Sequence, residues 1–352
     1  MGKVEQLSMK RYVILLIVFL SLSLSAQEKP RLGGWFRHAA YGQSLLSDEH
    51  PNVVRFDVGG NTNRSEWDWG QTGKRWRINT FAVMGINVPI WSGNLTTDGR
   101  FGLSVSMPMS ANIWLDLAEP VTCPIVDTDY RIALPQNTFI HRLNKGFAKN
   151  YSITLAPFKH ESTHIGDELA LQHADHGLPL RRVNVSCNYT EIDFTFNEPE
   201  ERLAECHTFR VGLLLNWDKE GHWYFIDPTD GNPTLASPRN SRWEAWLQYQ
   251  YQSPASKHGF QGVASLEIRN RAKMGYPEQD WDETEGVSLT PRTEGRIFTY
   301  NMFIGARYSC PNYTGMFSQF NVGVRLYHGN NPYGQFRNYT NFNQVNFCII
   351  VQ

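Results

Sequence analysis

What most constrains this chain is a rule obeyed by its connections. Twelve segments alternate apolar and polar residues: 52–59, 76–91, 99–116, 128–141, 149–164, 182–196, 206–217, 243–252, 259–269, 296–308, 316–328 and 344–352. A period of two is that of a strand, whose successive side chains point to opposite faces. In 99–116, Phe101, Leu103, Val105 and Ile113 share one face and Ser104, Ser106, Ser110 and Asn112 the other. Short connections at 92–98, 142–148, 197–205, 253–258 and 309–315 then alternate strictly with long ones at 60–75, 117–127, 165–181, 218–242, 270–295 and 329–343. A soluble sandwich has no reason to sort its loops this way. A barrel that crosses a bilayer does, with short turns on the periplasmic side and long loops outside. Many segments are also long enough for a tilted strand to span hydrocarbon. There every backbone polar group must be paired, and only a closed sheet leaves no edge. The fold expected is all-β: an antiparallel transmembrane β-barrel of about twelve strands.

The beginning of the chain agrees with export. Lys10 and Arg11 precede an apolar run from Tyr12 to Leu20, and small residues lead to Ala26 and Gln27. This reads as a signal peptide over 1–26, starting at Met1 or Met9. Residues 27–51 then form a periplasmic lead or plug-like segment, and 52–352 the barrel. The expected location is the outer membrane of a Gram-negative bacterium, with membrane lipid and lipopolysaccharide as partners. A net charge of −1 offers no footprint for nucleic acid. The five cysteines show no ligand spacing, and no cofactor is implied. They read as small buried residues, with a Cys187–Cys206 pair as the alternative. In 182–196 the apolar phase changes near Thr190 and Glu191, as a bulge there would produce. The sequon Asn188-Tyr-Thr carries no weight in a bacterial barrel.

One stretch holds chemistry-bearing residues at telling spacings. His160-Glu161-Ser162-Thr163-His164 spells H-E-x-x-H. That motif binds zinc when both histidines share a helix face. On a strand they sit roughly 13 Å apart, too far for one ion. The same residues contain His160-x-Ser162, a base and a hydroxyl about 6.5–7 Å apart at Cα on one strand face. Such a pair on a barrel strand resembles the arrangement of outer-membrane phospholipase A and the lipid A deacylases. It implies Ser162 as nucleophile and His160 as general base, with Asp167, Glu168 or a group on a neighbouring strand orienting the imidazole. Parity argues otherwise. Counting from Tyr151, Ile153 and Leu155, the residues His160, Ser162 and His164 fall on the polar face with Ser152 and Thr154. The leading expectation is therefore a hydrogen-bonded cluster of His160, Ser162, His164, Asp167 and Glu168 at the extracellular mouth of the lumen, in a barrel of uncharacterised role. A serine esterase acting on membrane lipid is the alternative, with Pro157 as the place where a bulge resets the phase. A narrow channel or binder for a small polar solute is the third reading.

Wider stretches resemble a bacterial family. Ile113-Trp-Leu-Asp116, Asp129-Tyr-Arg-Ile-Ala-Leu-Pro135, the block from His160 to Glu168, and Tyr327-His-Gly-Asn-Asn-Pro-Tyr-Gly-Gln-Phe336 together are similar to the domain of unknown function 1207 family of outer-membrane barrels. The likeness runs over roughly residues 50 to 350. It implies location and fold, and it brings in Asp129 and Arg131, with His164, as candidate binding residues. Glu161 stands where the family pattern has a neutral polar residue, which makes H-E-x-x-H here an accident of spelling. Lesser candidates are lipopolysaccharide contact at Trp67–Arg77, calcium in the acidic 277–285 loop, and a His173, Asp175, His176 cluster.

Overall fold

The computed structural model describes residues 33–35, 42–63, 75–117, 123–143, 148–166, 184–200, 203–217, 223–226, 233–235, 242–272, 278–282, 286–290, 295–310, 318–337 and 341–352. The expected leader, Asp167, Glu168, the 173–176 cluster and the 64–74 loop lie outside these residues. The strands in chain order are β1 (Gly34–Trp35), β2 (Val54–Asn63), β3 (Arg75–Asn94), β4 (Phe101–Asp116), β5 (Ile125–Ala133), β6 (Gln136–Arg142), β7 (Asn150–Ile165), β8 (Asn184–Phe196) and β9 (Cys206–Asn216). There follow β10 (Trp223–Ile226), β11 (Pro233–Leu235), β12 (Trp243–Gln252), β13 (Phe260–Ala272), β14 (Glu278–Asp282), β15 (Gly286–Thr290), β16 (Arg296–Ser309), β17 (Gln319–Gly329) and β18 (Phe342–Val351).

Every wall pairing is antiparallel, and the last strand pairs with the first long one, β18 with β2, which closes the sheet. β5 and β6 are two halves of one stave, since both pair with β4 and with β7. Leu134 and Pro135 interrupt it, and proline has no N–H to give the ladder. With β1, the β10–β11 extension and the separate β14–β15 hairpin set aside, the barrel has twelve staves, matching the twelve segments read from periodicity. The acidic loop is a two-stranded hairpin over Glu278–Asp282 and Gly286–Thr290.

Polarity is inside out relative to a soluble protein. Phe56, Ile78, Met84, Val211, Ile304 and Phe347 are exposed on the outer wall, while Asp57, Asn79, Arg269, Arg271, Arg325 and Asn346 are buried inside. In lipid an apolar exterior costs nothing, and the lumen is where charges find partners.

Two chain segments fill that lumen. The lead enters from the periplasmic end. Leu46 and Val53 pack on Val263, Phe303, Cys348 and Ile350. Leu46 N donates to Gln250 Oε1 at 3.0 Å, Asn301 Nδ2 donates to Ser47 O at 2.6 Å, and Arg271 Nη2 meets Glu49 Oε1 at 2.7 Å. From the extracellular end, the connection after β17 folds back inside through a single 3-10 turn at Gly334–Phe336. Its Tyr333 and Phe336 join Phe81, Trp114, Tyr327 and Phe342 in an aromatic cluster. Trp114 is fully buried there, 5.0 Å from the ring of Tyr333 and 5.6 Å from that of Phe336, and its Nε1 donates to Asn79 Oδ1 at 2.9 Å. Trp114→Ala is expected to cost about 3–5 kcal/mol, because the rigid wall cannot collapse onto the space vacated. Denaturant unfolding of the refolded barrel in micelles measures it.

The five cysteines are free thiols, so Cys187 and Cys206 do not pair; both are buried on the inward face of their strands, as is Cys348.

Candidate functional site

The site is created by a fault in β7. Up to Ala156 the strand runs in the expected phase: Asn150, Ser152, Thr154 and Ala156 face the lumen, and Tyr151, Ile153 and Leu155 face out. The pairing with β8 then shifts. Ala156 lies opposite Glu191 and Lys159 opposite Tyr189, so β7 advances three residues while β8 advances two. That is one extra residue, a β-bulge, at Pro157–Phe158. Its loose groups are tied down. Thr190 Oγ1 donates to Pro157 O at 2.9 Å and accepts from Trp217 Nε1 at 2.7 Å, while the Trp217 ring stacks edge-on against Phe158 at 5.1 Å. Leu134 N donates to Phe158 O at 3.0 Å.

Beyond the bulge the faces exchange. Glu161, Thr163 and Ile165 point inward and are buried. His160 and Ser162 are half-buried on the outer wall and His164 is exposed there. The expectation of a lumenal His/Ser cluster is thus corrected: parity was carried across a strand that contains an added residue. The bulge expected near Thr190 is also corrected. It lies on β7, and β8 keeps one inward parity through Val185, Cys187, Tyr189, Asp193 and Thr195. What changes near Thr190 is the chemistry of each face. Above it β8 itself turns Val185, Cys187 and Tyr189 inward and Ser186 and Asn188 outward.

On that exterior, three strands bring the polar groups into rows. Ile132, His160 and Asn188 lie across from one another, as do Tyr130, Ser162 and Ser186, and His164 sits opposite Thr128. His160 Nδ1 is 2.9 Å from Asn188 Oδ1. The amide oxygen can only accept, so Nδ1 is the donor in this bond, and a neutral imidazole so held has Nε2 as its acceptor. Ser162 Oγ lies 3.3 Å from His164 Nε2, whose ring meets Tyr130 edge-on at 5.8 Å. The patch is bordered by exposed Ile132, Tyr130 and Trp217, the kind of aromatic and apolar rim that marks the membrane surface. Chemically it is a hydroxyl flanked by two imidazoles, one of them bonded to an amide, on the apolar outer wall.

The inward residues form a different constellation. Arg131 Nη2 donates to Glu161 Oε1 at 3.1 Å and lies 3.4 Å from Asp129 Oδ2. Arg337 Nη2 reaches the same Glu161 oxygen at 2.5 Å. Asp129 and Arg131, expected to bind together with His164, are therefore separated from it by the barrel wall and serve an internal ion network. The zinc motif is dismantled as well, since Glu161 points away from both histidines. Among the described residues no group of three or more His, Cys, Asp or Glu is placed to hold a metal.

Asn188 escaped the sequence reading. Its only visible signal was a sequon, and its bond to His160 depends on the β7–β8 register that the bulge sets. Arg337 and Gly334 were equally hidden, because nothing local says that an extracellular connection folds back into the lumen.

Among solved structures, the chain is similar to outer membrane phospholipase A from Escherichia coli, at 12% identity over 86% of this chain and 90% of that one, with a TM-score of 0.42. It is also similar to the calcium-bound outer membrane phospholipase dimer of Salmonella typhi, at 13% identity over 86% and 90% and a TM-score of 0.41. The translocator domain of the autotransporter NalP from Neisseria meningitidis matches at 9% identity over 85% and 86%, TM-score 0.39. Its closed twelve-stave wall, apolar outside and polar within, makes this chain a β-barrel of the outer-membrane type. No protein-family model and no curated protein matches its sequence.

Proposed function

We propose that this barrel hydrolyses an ester of an outer-membrane lipid, with Ser162 as nucleophile, His160 as general base and Asn188 holding the imidazole. The observation that carries the proposal is the outward His160–Asn188 pair at 2.9 Å, with His160 two residues from Ser162 on the same face of β7. His160 Nε2 takes the Ser162 hydroxyl proton as Oγ attacks the ester carbonyl. Collapse of the tetrahedral intermediate expels the alcohol, which leaves with the proton from His160, and the acyl group stays on Ser162. Water then attacks that acyl ester, again giving its proton to His160. A fatty acid departs and Ser162 regains its hydrogen. The channel reading finds less support, since the lead and the folded-back connection occupy the lumen. A cavity there of about 30 Å3, bordered by His50, Lys159, Asp193 and Arg210, has room for a water or two.

The test uses full-length protein refolded into micelles, mixed with phospholipid and with a fluorophosphonate probe. Turnover of the lipid ester and an adduct located on Ser162 by mass spectrometry are expected. A correctly folded barrel that shows neither sinks the proposal. Asn188→Ala is expected to lower kcat by about 10²-fold with KM unchanged, because it removes orientation of the base and leaves lipid contacts in place. A fall in KM-weighted terms alone would make Asn188 a lipid contact.

A further inference from the structure

Resting on the hydrolase reading, we propose that the connection folded back into the lumen sets the geometry of the outward site, with Gly334 and Arg337 as positioning residues for Ser162. The two residues that bracket Ser162 on β7 are Glu161 and Thr163, and both face inward. Each is met by this one segment. Arg337 Nη2 bonds Glu161 Oε1 at 2.5 Å. Gly334 lies so close to Thr163 that a Cβ added to it would come within 2.0 Å of Thr163 Cγ2. Gly334 N also donates to Asp129 Oδ1 at 3.1 Å, and Asp129 is the residue of β5 paired across from Thr163. The segment therefore clasps the inner face of the wall at the rows whose outer face carries the hydroxyl and both imidazoles.

The mechanical link is the strand itself. Inward and outward side chains alternate on one backbone, so moving the backbone at Thr163 moves Ser162 with it. Ser162 lies four residues past the bulge and is paired on both sides, with Tyr130 and Ser186, and the inner clasp holds that same stretch from the lumen. Displacements of about 1 Å between reacting groups cost on the order of 10²-fold in rate. The segment's own support is firm: Asp129, Glu161, Tyr333 and Arg337 are all buried.

The experiment compares Gly334→Ala with the unaltered chain, full length and refolded, reading kcat and KM on the lipid ester and the rate of fluorophosphonate labelling per folded barrel. Folded protein is counted by its heat-modifiable electrophoretic mobility. The added methyl must push Thr163 or its backbone, so kcat and labelling are expected to fall about 10- to 100-fold with KM within twofold. Thr163→Ser deletes the Cγ2 that the methyl meets, and in the double variant it is expected to restore part of the labelling rate. A purely structural role predicts fewer folded barrels that each label normally, and that result overturns the proposal. Arg337→Lys keeps the charge but loses the planar fork. It gives the same measurement if Gly334→Ala fails to fold, and normal labelling there also overturns the proposal. Should the unaltered chain neither turn over lipid nor label, the hydrolase reading falls and this inference with it. Normal labelling at Ser162 in both the unaltered chain and the variants removes the positioning role alone.

Discussion

Ser162→Ala is expected to abolish lipid-ester hydrolysis, by about 10⁴-fold or more, while leaving the barrel folded. The magnitude follows from the role: without the hydroxyl there is no acyl-enzyme, and only background hydrolysis near a membrane surface remains. Ser162 is half-buried on the outer wall, and its hydroxyl makes one long contact, 3.3 Å to His164 Nε2. Removing it leaves no buried polar group unpaired, so the unfolding midpoint is expected to stay put. His160→Ala is expected to match it, and the double variant to be no worse than either, since a nucleophile and its base act as a unit. His164→Ala separates the two imidazoles. Under the proposed assignment it costs far less than His160→Ala. The opposite order would transfer the role of base to the histidine that contacts Ser162 in the resting structure.

Glu161→Gln is expected to destabilise the barrel by about 3–5 kcal/mol, as much as the loss of the Trp114 ring. Glu161 is buried and receives two guanidinium groups on one oxygen, from Arg131 at 3.1 Å and Arg337 at 2.5 Å. Replacing the carboxylate by an amide takes from two buried guanidinium groups the charge that they share. A buried ion network is weak evidence that charge was the best solution, but breaking one by removing a partner is costly, because the remaining charges stay in a low dielectric. Denaturant unfolding in micelles reads the shift. The control is Arg100→Ala, which breaks an exposed turn pair with Asp98 at 3.2 Å and is expected to leave the midpoint unchanged. Equal behaviour of the two variants would mean that water reaches the Glu161 network and that the lumen is open there.

Much of the barrel was legible because its causes are local. Alternation in β4, with Ser104, Ser106 and Ser110 against Leu103, Val105 and Met109, needs no tertiary knowledge to mark a strand. One residue of that strand departs from the pattern: Leu103, of the apolar face, is buried like its polar neighbours. The site was legible only as a set of residues. His160 and Ser162 were singled out by spacing, yet the leading expectation placed them on the wrong side of the wall. Parity is a cumulative count, and one inserted residue inverts everything after it. Pro157 hinted at the insertion, but a proline without an N–H fits an edge, a bulge or a strand end equally well.

By itself, then, the sequence determined the number of staves, their order, the sorting of long and short connections, and the membrane that such a barrel inhabits. Each of these follows from side-chain period and from the demand that hydrocarbon makes on backbone hydrogen bonds. The tertiary structure alone decided which face carries His160 and Ser162, that Asn188 stands behind the imidazole, and that Gly334 and Arg337 press on the same strand from within. Those facts depend on register between strands and on a connection folding back through the lumen. Register is a sum over contacts distant in the chain, and no local pattern of residues encodes such a sum.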